Sequence, residues 1–218
     1  MSDFNTARKN MIHNQLMTNN ITEDYILKAF EDIPREIYLP YEKKAKAYLD
    51  EDIEISPDRY LMEPRLIANI IKLSNINKDS IVLDLACSNG YSSAVLSKIT
   101  KKVYAIDNKK KLIEEANQNI KRLNIRNIEF FNKNPAKGIK KKIDVIFIFG
   151  GVEVIPDILF NSLKSNGGLL ITVLYDNNKT GKIHIAKKIK GKLSKRNYIS
   201  AQTPILKDFK KNKKEFIF

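Results

Sequence analysis

Within this chain of 218 residues, the side chains best suited to chemistry gather in one stretch, Val82-Leu83-Asp84-Leu85-Ala86-Cys87-Ser88-Asn89-Gly90-Tyr91. It reads as an apolar strand that ends in small residues and turns into a helix. In an open parallel sheet, ligands sit beyond the carboxyl ends of the strands, where small residues let a ligand approach the backbone. A dinucleotide fingerprint would need G-x-G-x-x-G to bring the chain close to a pyrophosphate, and that pattern is absent. Instead the acid comes first, as Asp84, followed by small residues at Ala86 and Ser88 and a single glycine at Gly90. This is the D-x-G-x-G-x-G arrangement of S-adenosylmethionine sites with two glycines replaced. That cofactor offers an ammonium and a carboxylate in place of a pyrophosphate, and Asp84 is placed to organise the ammonium end.

A second acid strengthens the pattern. Asp107 closes the next apolar run, Val103-Tyr104-Ala105-Ile106-Asp107, 23 residues downstream of Asp84. The offset is near the ~20 residues at which a carboxylate meets ribose hydroxyls. Asp144 opens the fourth apolar run, and Leu163-Lys164-Ser165-Asn166-Gly167-Gly168 forms the turn before a further strand. Metal chemistry is not expected: one cysteine, Cys87, and two histidines, His13 and His184, are too few for a His/Cys site. The lone cysteine also excludes an internal disulfide.

The elements that must hold these residues follow from hydrophobic periodicity. From Ile81 onward, continuous apolar runs (81–86, 103–107, 128–131, 144–149, 168–174) alternate with helical stretches at 91–99, 109–123 and 156–163. Such alternation predicts an α/β fold, a parallel sheet covered by helices on both faces. After Leu174 two strands joined near Gly191 predict an antiparallel hairpin at one sheet edge. Upstream, Pro64 with Leu66, Ile67, Ile70 and Ile71 predicts a helix with one buried face. Before it lie short helices: one over 5–17 with Met11, Ile12, Leu16 and Met17 on a common face, one capped by Thr22, and one after Pro40. The acidic stretch 50–58 is expected as loop, which makes residues 1–62 a helical cap and 63–218 the main domain.

Composition bounds the rest. The 39 basic against 25 acidic residues give a net charge of +14, unevenly spread. Residues 1–80 carry 11 basic and 14 acidic side chains, whereas the last forty carry 13 and 2. A basic tail can serve as an electrostatic footprint for nucleic acid, but only 7 of the 39 are Arg, and Lys is the weaker choice for bidentate phosphate recognition. Lys on edge strands also deters edge pairing. No apolar run approaches the ~20 residues that span a bilayer, and the N-terminus lacks an apolar signal region; the expectation is a cytoplasmic protein without a membrane span.

Over nearly its whole length, the chain resembles the protein-L-isoaspartate O-methyltransferase family. The stretch from Ile21 to Pro40, Ile-Thr-Glu-Asp-Tyr-Ile-Leu-Lys-Ala-Phe-Glu-Asp-Ile-Pro-Arg-Glu-Ile-Tyr-Leu-Pro, is similar to that family's segment before its methyltransferase domain. The resemblance implies a Rossmann-like class I methyltransferase with a seven-stranded, mostly parallel sheet and an N-terminal helical cap. S-adenosyl-L-methionine is the implied cofactor, with Asp84, Ala86, Ser88 and Gly90 in its first loop and Asp107 at its ribose. Asn134 falls where the family places the acid of Gly-Asp-Gly beside the adenine. The Asn keeps an acceptor and adds donors.

The departure lies on the acceptor side. Where the family carries Thr-Ile-Ser-Gln-Pro, this chain reads Tyr60-Leu61-Met62-Glu63-Pro64. Met62 replaces a hydroxyl by a thioether, at best a weak acceptor. Glu63 adds a negative charge that Arg59 and Arg65 are near enough in sequence to offset. Tyr60, Met62 and Glu63 are therefore the acceptor-side candidates by position. A divergent branch of the family, with Leu-Glu-Pro-Arg at the same place and a terminus ending in an aromatic pair like Phe216 and Phe218, resembles this chain more closely. Methyl transfer to a carboxylate needs no base, whereas a phenol, hydroxyl or amine would need one, and Glu63 is the nearby candidate. The acceptor is thus a damaged-protein carboxylate or another protein or small molecule. RNA or DNA methylation and a non-catalytic cofactor-binding role are the alternatives. An amino-methylating enzyme would carry an Asn/Asp-Pro-Pro-aromatic loop where this chain has Phe149-Gly150-Gly151-Val152.

Overall fold

A computed structural model of the chain describes residues 3–211. The aromatic pair Phe216 and Phe218 and the end of the expected main domain lie outside them. Nine strands and six α-helices are found among the described residues, with short 3-10 turns between them. The main sheet contains β3 (Ile81–Leu85), β4 (Lys102–Asp107), β5 (Ile128–Asn132), β6 (Val145–Val152), β7 (Leu169–Tyr175), β8 (Gly181–Ile189) and β9 (Lys192–Ser200) in the order β5-β4-β3-β6-β7-β8-β9. The first five strands in that order are parallel; β8 and β9 run antiparallel to their neighbours. This is the predicted architecture, and it arises because β3, β6 and β7 are apolar nearly throughout and are buried on both faces.

Helices α3 (Pro64–Ser74), α4 (Tyr91–Ser97), α5 (Lys110–Arg122) and α6 (Ile158–Asn161) connect and cover the strands. Pro64 opens α3, and Asn75 in the left-handed conformation (φ 51°) closes it. In α5 the residues Leu112, Ile113 and Ala116 are buried while the lysines and glutamates face water. The chain runs β3-β4-β5 to one side and returns to β6 on the other side of β3. The order therefore reverses between β3 and β6, and a parallel sheet splays open for a ligand at such a point.

The structure differs from the sequence expectation in four places, three of them in the cap. The first helix, α1 (Phe4–Met11), passes into a wide π turn over Ile12–Leu16 and a 3-10 turn over Met17–Asn19. That rephasing buries Ile12 and Leu16 but leaves Met17 43% exposed, so Met17 does not share the buried face. Helix α2 (Asp24–Asp32) is capped at Glu23 and not at Thr22, because the Glu23 carboxylate turns back to accept the Thr22 N–H at 3.1 Å. The acidic stretch holds a strand: β1 (Ile53–Ser56) pairs antiparallel with β2 (Arg59–Leu61) through a turn at Pro57-Asp58. Ile53 and Leu61 are directly opposite and buried; alternation of Ile with charge is what makes that strand. The expected helix over 156–163 shrinks to the four residues of α6. Cap and sheet share one apolar core, in which Leu16, Phe30, Ile67, Val95 and Ile171 belong to the same buried cluster.

Candidate active site

At the carboxyl end of β3 the backbone alternates in sign. Ala86, Ser88 and Gly90 adopt φ of 57°, 55° and 89°, which is the conformation glycine favours. The non-glycine residues keep the glycine-like path of the loop and hold ~1–2 kcal/mol of strain each. Gly90 cannot be replaced in the same way. A Cβ there would stand 2.9 Å from Phe130 Cζ and 3.1 Å from Ala116 Cβ, so this glycine serves the packing of the loop against α5 and β5.

Asp84 sits under this loop, fully buried. Ser92 and Ser93 each donate a hydroxyl hydrogen bond to its Oδ2 at 2.6 Å, while Oδ1 is buried with no partner among the described residues. Burial pushes this carboxyl up to about 7; the serines oppose the rise and the charge of Asp107 adds to it. Asp107, also fully buried, ends β4. Its Oδ1 accepts the Lys109 N–H at 2.9 Å, and its Oδ2 accepts both the Ser88 N–H at 3.0 Å and Arg59 Nε at 2.7 Å. Arg59 therefore does not offset Glu63. It leaves β2 to cross to the end of β4, and reaches Asp208 Oδ2 at 2.7 Å and Asn108 Oδ1 at 3.1 Å with Nη2.

The acceptor-side segment closes the opposite wall. Tyr60, Leu61 and Met62 line a small cavity of about 20 Å³ together with the loop from Ala86 to Asn89, Tyr91 and Phe149. Met62 is buried at 2% exposure. The segment is held from behind by the fully buried Arg35, which donates to the carbonyls of Ala47 (2.7 Å), Leu61 (3.3 Å) and Met62 (2.8 Å) and packs its guanidinium 5.0 Å over the Tyr91 ring. Glu63 follows, half-buried, paired with Arg65 at 2.9 Å and with its own N–H donated to Asp52 at 3.0 Å. Its carboxyl is pushed up to about 7, chiefly by burial, with Asp50 and Asp52 raising it and Arg65 and Arg35 lowering it. Asp52 is raised too, again first by burial.

The sequence candidates do not all converge. Ala86, Ser88, Tyr60 and Met62 meet at the cavity, with Asp84 and Asp107 beneath the loop. Asn134 stands apart on an exposed turn, where its Oδ1 accepts the Ala136 N–H at 2.9 Å. Arg35 and the pairing of Arg59 with Asp107 were missed; nothing local to either residue signals its partner. Phe149-Gly150-Gly151-Val152 continues β6 as buried strand, and Gly151 bonds with residues 204 and 206; no Pro-Pro-aromatic loop projects there. Among the described residues, no group of three or more His, Cys, Asp or Glu could hold a metal ion, and no helix is long and apolar enough to cross a membrane.

A mostly parallel seven-stranded sheet with an acid-bearing turn after its central strand, and a second acid ending the next strand, defines a Rossmann-like class I methyltransferase. The family model of protein-L-isoaspartate(D-aspartate) O-methyltransferase matches residues 6–203, and the chain belongs to that family. It is 30% identical over 167 residues to protein-L-isoaspartate O-methyltransferase 2 of Shewanella sediminis, covering 76% of this chain and 68% of the relative. Among solved structures, a protein-L-isoaspartate O-methyltransferase superposes with a TM-score of 0.80 at 25% identity, covering 91% of this chain; the chain spans 65% of that protein. A Plasmodium falciparum protein-L-isoaspartate O-methyltransferase homologue solved with S-adenosyl-L-homocysteine superposes with a TM-score of 0.78 at 20% identity, covering 95% of this chain and all of that one. The chain is thus a methyltransferase of the isoaspartate type, in a family that uses S-adenosyl-L-methionine.

The residues suit that cofactor with one exchange. The Oδ1 of Asp84 is a buried acceptor with no donor among the described residues, and a ligand ammonium would supply one. The Asp107 carboxylate is already engaged by three donors, so a ribose diol fits it only if Arg59 yields its place.

Proposed function

We propose that this methyltransferase carries the methyl group of S-adenosyl-L-methionine to a carboxylate on a damaged protein. The observation that supports it most is the buried, half-satisfied carboxylate of Asp84 beneath the glycine-like turn at 86–90. When bound, the cofactor supplies an electrophilic sulfonium methyl. The chain's own contribution is orientation and exclusion of water: Asp84 holds the amino-acid end, Asp107 faces the ribose, and the backbone of Ala86 to Gly90 lies along the ligand. Residues 1–62 act as the acceptor-side cap, and Arg35 fixes the carbonyls of Leu61 and Met62 so that Tyr60 and Met62 face the methyl. Asn134, on its exposed turn, would meet the adenine only at the edge of the site. Burial pushes the Glu63 carboxyl up to about 7, and in its protonated form it donates a hydrogen bond to an incoming carboxylate without repelling it.

The same raised carboxyl supports a second reading, in which ionised Glu63 acts as the base for a hydroxyl or amine acceptor. Labelled S-adenosyl-L-methionine offered with an isoaspartyl peptide and its normal-aspartyl control decides between them. Label in the isoaspartyl peptide alone is the expected result. Labelling of lysate components but of neither peptide would favour the second reading, and no binding of the cofactor or its demethylated product by calorimetry would overturn both.

A further inference from the structure

Arg59 is 1% exposed and lies between two acids that no other cation approaches within 4 Å among the described residues: Asp107 at the end of β4 and Asp208 in the 3-10 turn Lys207–Phe209. Its hydrogen bonds are divided. Nε goes to Asp107, Nη2 to Asp208 and Asn108, and Nη1 to the Asp58 carbonyl at 2.8 Å. Asn108 ties the receiving side together by donating to Asp208 Oδ1 at 2.6 Å. On Asp107, each carboxylate oxygen has two acceptor sites. Oδ2 has both filled, by Ser88 N and Arg59 Nε, and Oδ1 has one filled, by Lys109 N. A vicinal diol that donates two hydroxyls finds one free site and needs a second.

We propose that Arg59 is a positioning residue that the cofactor's ribose displaces from Asp107, with Asp208 and Asn108 receiving it, so that loading the cofactor and moving the acceptor-side segment are one event. The inference rests on the reading that Asp107 faces the ribose. Chain connectivity couples the two movements: Tyr60, Leu61 and Met62, the residues that follow Arg59, form one wall of a cavity of about 20 Å³, on the scale of one or two water molecules. The displacement that frees Asp107 therefore also widens the space the cofactor must enter. Arg59 gives up its hydrogen bond to Asp107 and keeps Asp208 and Asn108 as partners of Nη2, which limits the cost of the shift. Asp107 trades a charged donor for two neutral ones.

Binding of S-adenosyl-L-homocysteine to the full chain, measured by calorimetry beside thermal melts, tests this with variants at the two ends of one ion pair. Arg59→Gln removes the competitor and tightens binding fivefold or more. Asp208→Asn removes the receiver, confines Arg59 to Asp107 and weakens binding fivefold or more. A purely structural clamp would lower the melting temperature in both and move affinity in the same direction in both; that outcome, or changes under twofold, overturns the proposal. Should Arg59→Gln fail to fold, Asp208→Asn decides alone, since unchanged affinity in it contradicts the receiving role. If the wild-type chain binds no S-adenosyl-L-homocysteine, the cofactor reading itself fails and takes the displacement with it. If the wild type binds and Asp107→Asn binds equally well, the ribose assignment fails while the cofactor reading survives.

Discussion

Ser93 donates to Oδ2 of Asp84 at 2.6 Å, and Ser92 donates to the same oxygen at the same distance, leaving Oδ1 buried without a donor among the described residues. The serines hold the carboxylate in place, and burial lifts its pKa to about 7. An ammonium bound at Oδ1 needs the ionised form, so bound ligand lowers that pKa and binding at pH 6 expels a proton. Affinity for S-adenosyl-L-homocysteine should be constant above about pH 8 and fall toward tenfold per pH unit below 7. Calorimetry at pH 6 in two buffers of different ionisation enthalpy reads the proton release directly. Affinity that is independent of pH between 6 and 8 would remove Asp84 from the ammonium site. Stability follows the same shift with the opposite sign. A carboxyl with a raised folded pKa binds more protons folded than unfolded, so its contribution falls as pH rises from the unfolded value near 4 to about 7.

The loop at 86–90 carries strain of two kinds. Ala86→Gly and Ser88→Gly relieve a left-handed backbone (φ 57° and 55°) worth ~1–2 kcal/mol, against ~0.5–1 kcal/mol of added unfolded-state freedom. Each should raise the melting temperature by up to about 2–4 °C in a chain of this size. Gly90→Ala has both φ 89° and Phe130 against it, and should destabilise by about 2 kcal/mol or more. Thermal melts of the three variants check this ordering; a stabilised Gly90→Ala would contradict it.

Glu63 separates the two acceptor readings by the sign of a pH profile. If neutral Glu63 admits a carboxylate, kcat/KM falls as pH rises through about 7; if ionised Glu63 is a base, kcat/KM rises over the same interval. Asp84 titrates nearby, so Glu63→Gln is the control. The variant should retain activity on an isoaspartyl peptide at pH 8 and lose the component of the profile that belongs to Glu63. An activity loss of ~100-fold or more, in the range general bases contribute, is the result for the base reading.

Met62→Ser restores a hydroxyl where the resembling family carries one. Met62 is 2% exposed and lines the cavity, so truncation should cost about 2–4 kcal/mol of stability. Turnover of an isoaspartyl peptide should rise at temperatures where the variant remains folded. Radiolabel transfer measured together with a melt tests both halves. A folded variant with no gain would show that the hydroxyl is not what the acceptor contacts require.

The sequence by itself determined the sheet, the order of its apolar strands, the family and the class of chemistry. Each of these is written in contiguous residues: an unbroken apolar run such as Val145–Phe149 bounded by turn residues reads as buried strand, and an acid ahead of small residues marks the turn after β3 as a cofactor-loop candidate. Tertiary structure alone decided the rest. Ile53 and Ile55 alternate with acids, and the charge hid a hairpin that exists because Leu61 covers Ile53. Arg35 was legible only as a charge, whereas in the fold its three carbonyl partners make it the support of the acceptor segment. Arg59 lies 48 residues from Asp107 and 149 from Asp208, separations at which no spacing rule connects side chains. From sequence both Arg59 and Arg65 lie near enough to offset Glu63; in the fold Arg65 does so and Arg59 does not. A guanidinium finds whichever carboxylates the packed elements bring within reach and desolvate with it, and here these are the acids at the ends of β4 and the described chain.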